Sequence, residues 1–113
     1  MKVGIDVLEV ERVKTNLSFL EKILTKTEID YINKFENKQE RVAGIFCAKE
    51  AIFKALNMDI LHHQEIEIIH QENGKPIAKF YGKTKAHFLK NYKKIDVSIS
   101  HCKTVATAIC IVE

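Results

Sequence analysis

Residues 42–56, VAGIFCAKEAIFKAL, put charge on a segment that has little room for it. Twelve of the fifteen are apolar or glycine. At about 100° per residue, Val42, Ile45, Phe46, Ile52, Phe53 and Leu56 make one broad apolar arc. Gly44, Ala48, Ala51 and Ala55 make a second face of small residues, suited to close backbone approach. Such a helix leaves little surface for water, yet it carries Lys49, Glu50 and Lys54. Charges on a buried helix are costly unless they are paired or bound to an ion. Glu50 and Lys54 stand four apart and share one strip between the two arcs. An ordinary ion pair at the helix rim satisfies that spacing, and so does a reactive site.

Asp6 is a second charge out of place, because aspartate is depleted in strands. It interrupts residues 2–8, KVGIDVL, an alternating stretch with Val3, Ile5 and Val7 on one face and Asp6 on the other. A strand-end aspartate capping a following helix is the plain explanation. Together, however, Asp6 and Glu50 offer two oxygen ligands with no histidine or cysteine required. That set suits Mg²⁺, which takes one or two carboxylates plus waters and substrate phosphates. A lysine one turn from Glu50 would face the same phosphates. Two carboxylates, a metal and a lysine recur in phosphoryl-group chemistry.

The third candidate is Ser98-Ile99-Ser100-His101. Neighbours on a strand point to opposite faces, so Ser100 and His101 are poorly placed as nucleophile and base, and no GxSxG elbow is present. His101 reads as a phosphate or hydrogen-bonding ligand, or as a satisfied strand-end histidine. His62-His63 reads as part of an exposed polar loop. Cys47 and Cys110 read as core packing and Cys102 as exposed. With no CxxC pair, structural zinc is not expected.

These residues need positioning elements. The pattern predicts a strand over 2–8, a helix over 9–24 with Val10, Val13, Leu17, Leu20 and Leu24 at helical spacing, and a short helix capped by Thr25 or Thr27, Thr25 with Glu28 fitting a capping box. A longer helix follows over 39–57, then a strand over 65–71. Asn73-Gly74 marks a hairpin into a strand ending at Tyr81. A basic helix spans 83–93 with Ala86, Phe88, Leu89 and Tyr92 inward, and strands cover 95–101 and 104–112. The order β-α-α-α-β-β-α-β-β predicts an α+β fold with helices on a largely antiparallel sheet.

The 113 residues make one expected domain, 1–113. Hydrophobic residues are 46% and charged residues 29%, which excludes intrinsic disorder, a collagen-like fibre and a coiled coil. No apolar run is long enough to span a membrane. The early acid and the three cysteines predict a reducing cytoplasm with free thiols. The net charge of +3 hides an asymmetry: residues 75–94 carry seven lysines and no acid, leaving 11 basic against 15 acidic residues elsewhere. One basic segment on a slightly acidic body suits an acidic partner, phosphates or plain solvation. A non-catalytic basic module for an acidic protein or nucleic acid is the alternative to an enzyme. No RNA-binding or helix-turn-helix signature supports a nucleic-acid partner.

The segments GIDV (4–7), FCAKEAIFKA (46–55) and SISH (98–101) resemble, in this order, the three motifs of the 4′-phosphopantetheinyl transferases, and the short length resembles their holo-[acyl-carrier-protein] synthase group. Arg12, Ile23-Leu24-Thr25 before Glu28, Asn73-Gly74-Lys75-Pro76 and the end through Val112-Glu113 agree, so the resemblance covers essentially the whole chain. It implies transfer of the 4′-phosphopantetheine arm of coenzyme A to a serine of apo acyl carrier protein, leaving adenosine 3′,5′-bisphosphate, in support of fatty acid biosynthesis. It implies Mg²⁺ held by Asp6 and Glu50, with Lys54 near the pyrophosphate and His101 on a phosphate of the nucleotide. Glu50, directly or through a water on the metal, would take the serine proton. It further implies a homotrimer with sites between subunits, and carrier docking on the first helix, where Arg12, Lys14 and Lys22 are the basic residues. Two departures stand out. Residues 56–60, Leu-Asn-Met-Asp-Ile, lack the family's glycines, and Ile45 stands where many relatives carry arginine. Arg41, one turn earlier, is expected to supply that contact to coenzyme A.

Overall fold

The longest helix organises the chain. The computed structural model describes residues 1–59 and 62–113. In chain order the elements are β1 (Lys2–Glu9), a 3₁₀ turn (Val10–Arg12), α1 (Leu17–Ile23), α2 (Lys26–Ile32) and α3 (Lys38–Leu56). A second 3₁₀ turn (His63–Glu65), β2 (Ile66–His70), β3 (Pro76–Phe80), α4 (Gly82–Asn91), β4 (Ile95–His101) and β5 (Val105–Val112) follow. Twelve of the 19 residues of α3 are buried, as expected of a helix that is apolar nearly all round and enclosed between layers. The architecture is α+β. A three-stranded antiparallel sheet in the order β1-β5-β4 packs on α3, and β2 and β3 form a separate antiparallel pair. Gly74, at φ +88°, makes the turn between β2 and β3 that Asn73-Gly74 predicts.

The small-residue face of α3 receives β1 backbone to backbone. A Cβ on Gly4 would lie 1.9 Å from the Ala51 carbonyl oxygen and 2.6 Å from the Ala55 nitrogen, so no side chain fits there. This close approach turns Gly4 and Asp6 toward the helix. Val3, Ile5 and Val7 therefore point away from it and stay exposed. On β5, Ile109, opposite Ile5, and Val105, opposite Glu9, are also exposed, so the outer sheet face carries an apolar stripe.

The predicted helix over 9–24 does not form as one piece. Pairing with β5 continues to Glu9–Val105, and the Val10 amide donates to the Thr104 carbonyl. These ladder bonds hold the chain extended where the apolar spacing favours helix. Val10, Val13 and Leu20 are buried as predicted, but through a turn, a loop and a short helix, and Leu17 is exposed. In α4, Phe88 and Tyr92 pack on the core as predicted, whereas Ala86 and Leu89 face solvent and Thr84 is buried in their place. Thr84 turns inward because its amide and hydroxyl both donate to Glu65 Oε1. The capping box at Thr25 and Glu28 is present. Cys47 and Cys110 are buried and Cys102 is exposed, as the sequence predicts.

Candidate active site

Asp6 on β1 and Glu50 on α3 are brought onto one side of the helix by the contact at Gly4. Lys54, one turn after Glu50, reaches across to β1 rather than back along its own helix. Its ammonium donates to Asp6 Oδ1 at 3.1 Å and to the Ile5 carbonyl at 2.8 Å. The ion pair at i,i+4 is thus replaced by one between elements. With two of three donors used and the side chain 55% exposed, one N–H remains for a ligand. Thr107 on β5 fixes β1 from behind by donating to the Asp6 carbonyl at 2.8 Å.

Glu50 is the unsatisfied member. No hydrogen bond to its carboxylate is present among the described residues. Burial pushes its carboxyl above the usual carboxylate range, the charge of Asp6 adds to this, and Lys54 opposes it. The Cys47 thiol beneath is pushed up to about 12, first by burial and then by Asp6, so it is inert as a nucleophile at neutral pH. Asp6 and Glu50, close enough for the charge of one to raise the pKa of the other, could together hold a divalent cation. They fit Mg²⁺, which needs only one or two carboxylates when substrate phosphates and waters complete its shell. Among the described residues, no group of three or more His, Cys, Asp or Glu forms a larger metal cage.

His63 departs from the exposed loop predicted for His62-His63. Its ring stacks on Phe46, meets Phe53 edge-on, and brings Nε2 to 3.7 Å from Glu50 Oε1. Burial, and then the Lys49 charge, lower its pKa. Ile60, in the predicted glycine-free loop, lies outside the described residues.

His101 ends β4 on the side facing α3. Ser98 and Ser100 point to the opposite, exposed face, which excludes an adjacent Ser–His pair as predicted. The His101 Nδ1 lies 2.5 Å from Glu40 Oε1. That bond holds the Glu40 carboxyl below the usual range. Glu40 had no signal in the sequence, since a polar residue in the first turn of a helix is ordinary. Arg41 sits beside this pair, but its guanidinium is committed elsewhere: it lies 4.0 Å over the Phe35 ring and 3.4 Å from both Tyr31 Oη and Asn37 Oδ1.

The predicted docking residues do not share one helix. Arg12 is in the first 3₁₀ turn, Lys14 in the loop after it, and Lys22 on α1, all exposed. Arg12 borders a cleft of about 290 Å³ with Val13, Phe19 and Phe46. The lysines of 75–94 are all exposed, and Lys75 pairs with Asp96 at 3.3 Å.

Residues 2–110 match the 4′-phosphopantetheinyl transferase superfamily. Holo-[acyl-carrier-protein] synthase from Caldanaerobacter subterraneus subsp. tengcongensis is 42% identical, over 96% of this chain and 91% of its own length. The protein of the same name from Clostridium tetani is 39% identical, over 98% and 94%. Among solved structures, a Bacillus anthracis holo-(acyl-carrier-protein) synthase in complex with CoA (3′,5′-ADP) superposes with a TM-score of 0.83 at 32% identity, covering 99% of this chain and 95% of that one. The Helicobacter pylori enzyme in complex with coenzyme A gives 0.85 at 28% identity, covering 98% and 99%. With two of its motifs on β1 and α3, which carry Asp6, Glu50 and Lys54, and the third ending β4 at His101, the chain belongs to the 4′-phosphopantetheinyl transferase superfamily, in its holo-[acyl-carrier-protein] synthase group.

Proposed function

We propose that this chain, as one transferase domain over 1–113, moves the 4′-phosphopantetheine group of coenzyme A to a serine of apo acyl carrier protein, in support of fatty acid biosynthesis. The products are holo carrier protein and adenosine 3′,5′-bisphosphate. The observation that carries this reading is the proximity of Asp6 to an under-satisfied Glu50, with a lysine bound to Asp6 that keeps a free donor. A non-catalytic basic module needs none of these charges.

Asp6 and Glu50 would hold Mg²⁺, whose charge neutralises the pyrophosphate and stabilises the charge that develops at the reacting phosphorus. In the transfer, the serine Oγ forms a bond to the phosphorus of the pantetheine phosphate, and that phosphorus breaks its bond to the bridging oxygen of the pyrophosphate. Glu50, directly or through a water on the metal, would accept the serine proton. Lys54 directs its remaining N–H at the leaving phosphate. His101 contacts a phosphate of the nucleotide, and Arg41 adds positive charge nearby.

The apolar outer face of β1 and β5 supports a homotrimer with sites between subunits, because Val3, Ile5 and Val7 gain by being covered. Light scattering is expected to give three times 13.0 kDa. The exposed Arg12, Lys14 and Lys22 suit an acidic carrier and would speed its association. Three free cysteines fit a reducing cytoplasm.

The test is the intact mass of apo acyl carrier protein after incubation with the chain, coenzyme A and Mg²⁺. A gain of one phosphopantetheine, lost with chelator and with Asp6→Ala, is expected. A folded chain that binds coenzyme A but leaves the carrier mass unchanged would overturn the transfer reading.

A further inference from the structure

One turn of α3 grips His101 at two points. Glu40 takes the ring at Nδ1, at 2.5 Å across 61 residues of sequence. One turn further on, the ring's edge lies against Gly44: a Cβ there would stand at ordinary contact distance, 3.5 Å, from His101 Cδ2 and closer, 3.1 Å, to Ile99 Cγ2. Both partners are largely shielded, the Glu40 side chain at 17% exposure and that of His101 at 22%. This is therefore a fixed contact between a helix and a strand end, unlike a mobile surface pair.

An imidazole has two distinct nitrogens, and the partner of one determines what the other offers. With Nδ1–H donating to Glu40, Nε2 is left for a ligand, and to donate to a phosphate oxygen it too must carry a hydrogen, so the ring that binds is the imidazolium paired with the Glu40 carboxylate, its direction set by the helix. We propose that Glu40 is a positioning residue that locks the His101 ring so that Nε2 is presented, ready-oriented, to a phosphate of coenzyme A. The proposal rests on the transferase reading above. Holding the ring before the ligand arrives removes the ordering cost from binding. Because His101 acts on the bound nucleotide and not on the transferred phosphorus, the effect falls on the affinity for coenzyme A and spares the chemical step. Arg41 from α3 and His70 from β2 also face this region. Their groups are held separately, Arg41 on Phe35 and His70 stacked on Tyr31 at 4.1 Å.

The test measures KM for coenzyme A, KM for apo carrier and kcat in four chains: wild type, Glu40→Ala, Glu40→Gln and His101→Ala. Glu40→Ala is expected to raise the coenzyme A KM by up to about tenfold, the scale of ordering one free side chain on binding. Its kcat should stay within about twofold and its carrier KM should not change. Glu40→Gln keeps an acceptor at the same reach and should restore most of the affinity. In a His101→Ala background, Glu40→Ala should have no further effect, because the two act as one unit. Equal losses from Glu40→Ala with and without His101 would overturn the proposal. So would a normal coenzyme A KM in Glu40→Ala, or in His101→Ala. Each of these outcomes is distinct from failure of the transferase reading itself, in which the wild-type chain leaves the carrier mass unchanged.

Discussion

Lys49 and Glu50 are adjacent on α3, yet they meet opposite electrostatic surroundings. The Lys49 ammonium donates to Glu28 Oε1 at 2.6 Å and to the Ile23 carbonyl at 2.7 Å, and both side chains are fully buried. Glu28 also accepts from the Thr25 and Ile68 amides. Nearby, Thr25 and Tyr81 hydroxyls donate to Glu67. Burial raises the Glu28 pKa and lowers that of Lys49, while their mutual attraction opposes both shifts. One residue further on, Glu50 has burial and a like charge against it and no donor within hydrogen-bond reach among the described residues. The first region closes its electrostatics internally and ties α2, α3 and β2 together. The second leaves Glu50 without a protein donor among the described residues, open to water or a ligand. A buried charge with all partners present belongs to the fold; one with partners missing marks the site.

Breaking the closed side should give the largest effect. Lys49→Met leaves Glu28 buried without its cation, and urea unfolding should show a loss of about 3–5 kcal/mol. Replacing both, Lys49→Met with Glu28→Leu, should recover most of that, because an apolar pair needs no counter-charge. If the single change cost no more than a surface substitution, the network would not be the clamp described here. On the open side the pattern reverses. Asp6→Asn should lower transfer by about 10²–10³-fold, the scale of removing one strong electrostatic contact to a transition state. Its thermal midpoint should remain close to wild type. Lys54→Ala should cost less, about 10–100-fold in kcat/KM, since its side chain is half exposed and solvent partly replaces its charge.

The difference between the two regions was only half legible in the sequence. Periodicity marked α3 as buried, and so marked Lys49, Glu50 and Lys54 as three charges needing an explanation. It did not separate them, because the partners of Lys49 lie 21 and 26 residues away and are set by tertiary packing. The four-residue spacing suggested a Glu50–Lys54 pair, but Lys54 chose Asp6 once Gly4 let β1 approach. The alternation over residues 2–8 predicts the strand that forms. Which face packs inward was decided by the missing Cβ of Gly4 and not by the valines. Residues 9–24 failed for a related reason: ladder bonds to β5 outweighed local helical spacing. The strand ends, the turn at Asn73-Gly74 and the capping box were legible because their signals are local.

The smallest stability change sharpens the comparison most, because activity and stability should move in opposite directions. Glu50 has a folded-state pKa above its usual value, first because of burial and then because of Asp6. For an acid raised in this way, the native state binds the proton more tightly than the unfolded chain. The ionised carboxylate therefore costs nothing below the ordinary value of 4.5. Its cost grows as pH rises and is complete above the raised pKa. Glu50→Gln removes that cost, so at neutral pH without divalent cation it should melt roughly a few degrees higher than wild type. Near pH 4 the two should melt together. Added Mg²⁺ should raise the wild-type midpoint and close the gap at neutral pH, while leaving Glu50→Gln nearly unmoved. The same variant should transfer no measurable phosphopantetheine. A Glu50→Gln chain less stable than wild type at neutral pH would mean that Glu50 belongs, with Lys49, to the charges that hold the fold.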